Sequence, residues 1–289
     1  MTTATVEPAG ELRLMVDHRD GVSRARRQFH RGALRILRPH YLDGSGQVTY
    51  TLINPGGAYF SGDRYLIDIE ISPESSLLLT TQSATKVYRA PKGPATQDMR
   101  VVVGAGATFE YLPDQLIVYR DGSYRQRTVI EAHPSATVVL AEVITPGWSP
   151  EGANFTFDEL RMRTELRLLD ESTGSSRIHA VDQLRIIPDS VISGVGFMEG
   201  HSHTGQLILM DPRIDDSVIS VLSELVDASD TYSGITCAGL PRSDGDAPRC
   251  VFIRSLAETT GSITALHHDV VTLLRRVTGG RAAVNLRKH

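Results

Sequence analysis

Three groups of residues carry types and spacings that could do chemistry. Glu199-x-His201-x-His203 sets a carboxylate and two imidazoles at alternate positions. Alternate side chains of a strand share a face, so His201 and His203 could meet one ion, and imidazole suits nickel and zinc alike. The plainer reading is a polar turn, since Gly200 and Gly205 flank the pair. A second group, Thr80-Thr81-Gln82-Ser83-Ala84-Thr85-Lys86, contains Ser-x-x-Lys, a nucleophile pattern of β-lactamases. That pattern needs its serine at a helix N-terminus, with the lysine one turn on. Here strand-like sequence flanks it, and no Lys-Thr-Gly or Ser-Asp-Asn partner is present. Hydroxyls and amides on such a segment could instead line a polar groove. The third group is Asp63, Glu110 and Glu142, each in apolar surroundings. A buried carboxylate must be paired, hydrogen-bonded or hydrated. Structural salt bridges are one reading; carboxylates facing a water-filled path for a cation are the other.

The elements that must position these groups read as strands from about residue 11 to residue 210. Tyr65, Ile67, Ile69 and Ile71 alternate with Leu66, Asp68, Glu70 and Ser72, and residues 160–168 alternate in the same way. Ser76 to Thr81, Met99 to Val103 and Thr137 to Ile144 are denser in apolar residues and read as strands covered on both faces, or nearly so. Asn54-Pro55-Gly56-Gly57, followed by Gly62-Asp63, is a tight turn, because glycine tolerates positive φ. A phosphate loop there would need a Lys-Ser/Thr ending and a following helix. Further turns at Asp43-Gly44-Ser45-Gly46, Gly104-Ala105-Gly106, Asp121-Gly122 and Ser172-Thr173-Gly174 predict a mainly β fold with a layered antiparallel sheet body. Helical spacing appears twice, at Val218–Val226 and at Ile263–Val277. Ser262 is the expected cap of the second helix and Gly279-Gly280 its stop. One domain over residues 1–289 is expected: a flexible N-terminus (1–10), a β body (11–210), a part with two C-terminal α-helices (211–280) and a flexible tail (281–289).

With 289 residues, 40% hydrophobic and 22% charged, the chain can bury a sizeable core. A net charge of −4 argues against a nucleic-acid binder. Cys237 and Cys250 match no zinc spacing and are too few for a disulfide framework. Residues 1–13 lack the apolar core of a signal peptide, and no apolar run reaches the roughly 20 residues of a membrane helix. These readings place the chain in the cytoplasm, with free thiols and away from membranes. No catalytic triad order or nucleophile elbow stands out.

Taken in order, several of these segments resemble the UreD (UreH) family of urease accessory proteins. The carriers are Asn54-Pro55-Gly56-Gly57 with Gly62-Asp63, Thr80-Thr81-Gln82-Ser83-Ala84-Thr85-Lys86-Val87-Tyr88, and Glu110-Tyr111-Leu112-Pro113. Tyr124–Thr128, Pro146-Gly147-Trp148-Ser149-Pro150-Glu151-Gly152 and Gly196-Phe197-Met198-Glu199-Gly200-His201 are similar to one branch. Ala58 departs from the family's third glycine, and Trp148 stands where many members have arginine. The resemblance implies a β-rich, non-enzymatic protein with two helices. It further implies binding to the urease structural subunits and to UreF, which engages the GTPase UreG, and a polar tunnel that conducts nickel. No cofactor is then tightly bound, and Ni2+ is in transit. On that reading Asp63, Thr80, Thr81, Gln82, Lys86, Glu110, Pro113 and Glu142, with the Asn54–Gly57 and Gly62 turn, form the path or its walls. The alternatives are a stand-alone nickel carrier using His201 and His203, or a serine hydrolase using Ser83 and Lys86.

Overall fold

In the computed structural model, which describes residues 7–170, 172–188, 191–238 and 247–286, the period-two stretches are strands. The chain runs through β1 (Gly10–Arg19), β2 (Val22–Gly32), β3 (Arg35–Ile36), β4 (Val48–Ile53), β5 (Arg64–Ile71), β6 (Ser76–Thr81), β7 (Thr85–Val87), β8 (Ala95–Val103), β9 (Thr108–Leu112) and β10 (Leu116–Val118). It continues through β11 (Ser123–Ala132), β12 (Thr137–Ile144), β13 (Glu159–Asp170), β14 (Ser175–Ile186) and β15 (His203–Asp211). After helix α1 (Asp216–Asp227) come β16 (Tyr232–Ala238), β17 (Arg249–Ala257) and helix α2 (Thr260–Gly279). The fold is mainly β, with both described helices near the C-terminus.

Two sheets form. An outer sheet has the order β14-β13-β11-β8-β5-β1-β2, and a middle sheet has the order β16-β17-β15-β12-β9-β6-β4-β3, with β7 and β10 attached beside it. The layered reading holds, but the antiparallel expectation does not. The pairs β5–β8, β8–β11 and β11–β13 of the outer sheet are parallel. So are β4–β6, β6–β9 and β9–β12 of the middle sheet. The reason lies in the turns. Those at Asn54–Gly57, Gly104–Gly106 and Asp121–Gly122 carry the chain from one sheet to the other, not to a hairpin neighbour. Each return to a sheet therefore runs in the same direction as the last. The crossover that parallel strands need, more often a helix, is here a strand of the opposite sheet. Antiparallel pairing is kept at the ends of the coil, as in β1–β2, β13–β14, β12–β15 and β15–β17.

The main core lies between the sheets, where Leu12, Val16, Ile69, Leu79, Val101, Phe109, Val138 and Ile208 meet. A second core joins the other face of the middle sheet, through Leu78, Val139, Leu207, Leu209, Val251 and Ile253, to Leu222, Leu266, Val270 and Leu274 of the helices. The middle sheet is thus buried on both faces, which accounts for the dense apolar runs in β6 and β12. β8 is different from its expectation: Arg100 is exposed between buried Met99 and Val101, so only one face is covered. Helix α2 approaches β15 closely because position 205 is glycine. A Cβ there would lie 2.3 Å from Ile263 Cγ2. The cap of α2 is Thr259, whose hydroxyl accepts from the Ser262 N–H, so Ser262 is the capped residue and not the cap. Gly280 ends the helix at φ 60°, as expected. At the N-terminal end Gly10 already starts a buried strand. In the expected tail Val284 is buried and Leu286 packs against the helix-side core, whereas Ala282, Ala283 and Asn285 are exposed, and residues 287–289 lie outside the described residues.

Candidate functional site

Inward positions of a two-sheet sandwich are normally apolar, yet one band of them is polar here. β8 turns Gln97 inward, β11 turns Tyr124, Gln126 and Thr128 inward, and β9 and β12 of the middle sheet oppose them with Tyr111 and Glu142. Parallel register places Gln126 directly beside Gln97. Tyr59 donates its hydroxyl hydrogen to Gln97 Oε1 at 2.8 Å, and Tyr124 donates to Gln126 Oε1 at 3.1 Å. The Gln126 amide then donates to Glu142 Oε1 at 2.5 Å. Gln97, Tyr111, Tyr124, Gln126 and Glu142, with Thr85, Pro113 and Asp114, line a cleft of about 20 Å3, room for one water. A second cleft of about 50 Å3 adjoins it and is lined by Asn54, Gly57, Tyr59, Thr81, Gln82, Ser83 and Lys86. Thr85 faces both clefts, and the Tyr59–Gln97 bond joins their walls.

Burial pushes the Glu142 carboxyl up to about 7, and the hydrogen bond from Gln126 offsets only part of that. The Tyr111 hydroxyl is raised in turn by burial and by the Glu142 charge. Near neutral pH the carboxyl is therefore shared between its two protonation states. A cation entering the cleft would displace a proton at little cost, and amide and hydroxyl oxygens stand ready as neutral donors.

The structure divides the expected site residues. Thr81, Gln82, Lys86, Pro113 and Glu142 line the two clefts, with Asn54 and Gly57 at one rim. Asn54 also shapes the turn: its Oδ1 accepts from Gly56 N at 2.9 Å, and its Nδ2 donates to Ala58 O at 3.1 Å. Pro55 and Gly56 are exposed members of that turn, and Gly57 has φ 80°. Ala58 has no positive φ, so its methyl group is tolerated. Asp63 stands one step back from the clefts. Its Oδ2 accepts from Phe60 N and from Tyr65 Oη, both at 2.9 Å, and Tyr65 stacks on Tyr59. Gly62 (φ 79°) makes the turn before it. Thr80 faces the helices and donates to Leu112 O at 2.5 Å.

Glu110 also faces the helices, on the opposite side of the middle sheet from Glu142. Its Oε2 accepts from Arg275 and, at 3.1 Å, from Gln47. Arg275 is 2% exposed and also donates to Asp43 at 2.6 Å and Gln47 at 2.9 Å. That ion cluster fastens α2 to the sheet.

The histidines do not share a strand face. β15 begins only at His203, and Glu199, at φ 50°, turns back to accept from Gly196 N at 3.1 Å. His201 Nδ1 lies 3.0 Å from Glu258 Oε1. His203 Nδ1 lies 2.8 Å from the Ser202 hydroxyl, and burial holds its imidazole below the usual range. Among the described residues no three His, Cys, Asp or Glu side chains converge as a metal cluster. Ser83 lies on a bend and Lys86 in the short strand β7 that follows it, without the helix that the Ser-x-x-Lys pattern needs. Cys237 is exposed, Cys250 is buried, and both are free.

Sequence reading gave no site role to Gln97, Tyr111 or Gln126, although Tyr111 and Gln126 fall within the family-like segments. The available signal was a set of polar side chains at the inward beats of period-two strands, most plainly Tyr124, Gln126 and Thr128 of β11.

A coiled two-sheet β body with a helical cover and a polar band through its interior is the architecture to be matched. The profile of the UreD urease accessory protein family fits residues 8–289. The chain is 51% identical to the urease accessory protein UreD of Kocuria rhizophila, over 99% of this chain and 91% of that one. It is 46% identical to UreD of an Arthrobacter species, over 99% and 96% of the two chains, and 44% identical to UreD of Corynebacterium glutamicum, over 98% and 99%. The chain belongs to the UreD urease accessory protein family.

Proposed function

We propose that this chain serves urease maturation as a non-enzymatic conduit. It binds the urease apoprotein and UreF, works through UreF with the GTPase UreG, and passes nickel through its interior towards the urease active site. The observation that carries this reading is the polar band from Asn54 and Lys86, past Thr85 and Gln97, to Gln126 and Glu142, set inside an otherwise apolar core. Polar groups inside a sandwich weaken it unless they are satisfied, so a continuous band of them needs a reason beyond stability. Glu142 supplies that reason. On this reading a carboxylate among neutral amide and hydroxyl oxygens, with a proton competing near neutral pH, is a weak seat from which a divalent ion can leave. A conduit must let its cargo leave, so no tight resident metal is expected. Among the described residues no helix is long and apolar enough to cross a membrane, and a cytoplasmic site of action accords with this role.

The test is urease activation in a nickel-supplemented host without its own urease system. The host carries the urease subunits, UreF and UreG, with or without this chain. Loss of activity and of nickel per active site without the chain, at unchanged urease level, is the expected result. Full metallation without it would overturn the assignment.

A further inference from the structure

The polar band continues beyond Glu142. In the middle sheet, antiparallel register sets Gln206 of β15 beside Glu142, and Arg254 of β17 beside Gln206, all on the inward face. At a strand spacing of about 4.8 Å this row extends roughly 10 Å from Glu142. The outer sheet answers it with Thr128, Thr164 and Asp182, side by side on β11, β13 and β14 and all buried. The Thr128 hydroxyl has no protein partner among the described residues, although buried hydroxyls are normally bonded. The two rows meet where the Arg254 guanidinium reaches across from one sheet to donate to Asp182 Oδ1 on the other. Beyond that pair the sheets part into a mouth of about 580 Å3, lined by Leu184, Ile192, Phe197, Met198, Thr204 and Arg254.

We propose that Asp182 is a second cation seat on the interior path, at its outlet, and that the Arg254 guanidinium occupies that seat until a divalent cation arrives. This rests on the conduit reading and adds the place and manner of exit. The two partners are unequal in the way such exchange requires. The Asp182 side chain is 7% exposed and fixed on a strand, whereas that of Arg254 is 49% exposed and can swing into the mouth. The half-exposed guanidinium regains hydration on leaving, but the buried carboxylate it leaves needs a positive partner, so it departs only as a cation takes its place. While it is docked, its positive charge keeps the outlet closed to cations from outside. An ion coming from Glu142, with the Gln206 amide and the Thr164 hydroxyl beside it, takes the guanidinium's place on the carboxylate.

The experiment compares wild type, Arg254→Gln and Asp182→Asn/Arg254→Gln as purified full chains, each checked for folding by its melting transition. Each is dialysed against Ni2+ and the retained metal is counted. Arg254→Gln is expected to retain one more nickel per chain than wild type, and the double variant to return to the wild-type value. Nickel retention by Arg254→Gln no greater than wild type would overturn the proposal. Should Arg254→Gln not fold, Asp182→Asn decides. A seat on the path predicts reduced urease activation per folded chain, whereas a mere staple between sheets predicts a lower melting temperature with activation unchanged. Glu142→Gln separates the two levels of the argument. If it abolishes activation while Arg254→Gln gains no nickel, only the Asp182 seat fails. If it leaves activation intact, the conduit itself fails.

Discussion

Glu142 sits with its carboxyl among tyrosine rings and amides, where ionisation is resisted by burial and helped by a single amide bond. A shift from 4.5 to about 7 corresponds to roughly 3 kcal/mol against the ionised form. The sign follows from linkage. Below the unfolded value of 4.5 both states are protonated and nothing is lost. Between 4.5 and 7 the native state holds the proton more tightly, so stability falls as pH rises, and the full cost stands above 7. Glu142→Gln should therefore leave stability nearly unchanged at pH 5 and raise it at pH 8, on the order of 3 kcal/mol, read by urea unfolding at both pH values. An equal effect at the two pH values would show that the carboxyl is not perturbed in the native state. Glu110 has a structural part instead. Glu110→Ala takes one of the carboxylates from the buried Arg275, which keeps Asp43, and should cost about 3 kcal/mol, seen as a lowered melting temperature. These two carboxylates were alike in the sequence, both acidic residues in apolar strands. Which face of the middle sheet each one takes separates an ion cluster from a hydrated cleft.

At the scale of elements, α2 is held by two devices, the Arg275 cluster and the close approach at Gly205. Gly205→Ala places a methyl group against Ile263 and should destabilise the fold by about 1–3 kcal/mol, measured as a lowered urea midpoint with unchanged slope. An unchanged midpoint would mean that α2 can shift without loss. The strands and both helices were legible because period two and period 3.6 are local properties of the chain. The parallel pairing was not, because alternation in burial is the same whichever direction a neighbour runs. Glycine turns such as Gly104–Gly106 serve a hairpin or an arch between sheets equally well. For the same reason the Glu199–His203 run looked like one strand face, although Glu199 and His201 precede the strand and the carboxylate turns away.

For the whole molecule, the coil of alternating strands has a consequence for function. Each inward polar residue of one winding lies beside that of the next, so a band of polar side chains can cross the body without breaking either sheet. Gln97, Gln126 and Glu142 come from β8, β11 and β12 and meet only because the windings stack. The family's segments around Asn54, Thr81 and Lys86 were visible in the sequence, but their junction with Gln126 and Glu142 is a property of packing. The central claim is that nickel passes along this band to urease. Its most direct test is nickel per urease active site after co-expression with UreF, UreG and either wild-type chain or Glu142→Gln, at matched amounts of chain bound to urease. The account predicts that Glu142→Gln assembles normally yet leaves nickel near the level seen without the chain. Full nickel occupancy with Glu142→Gln would contradict it.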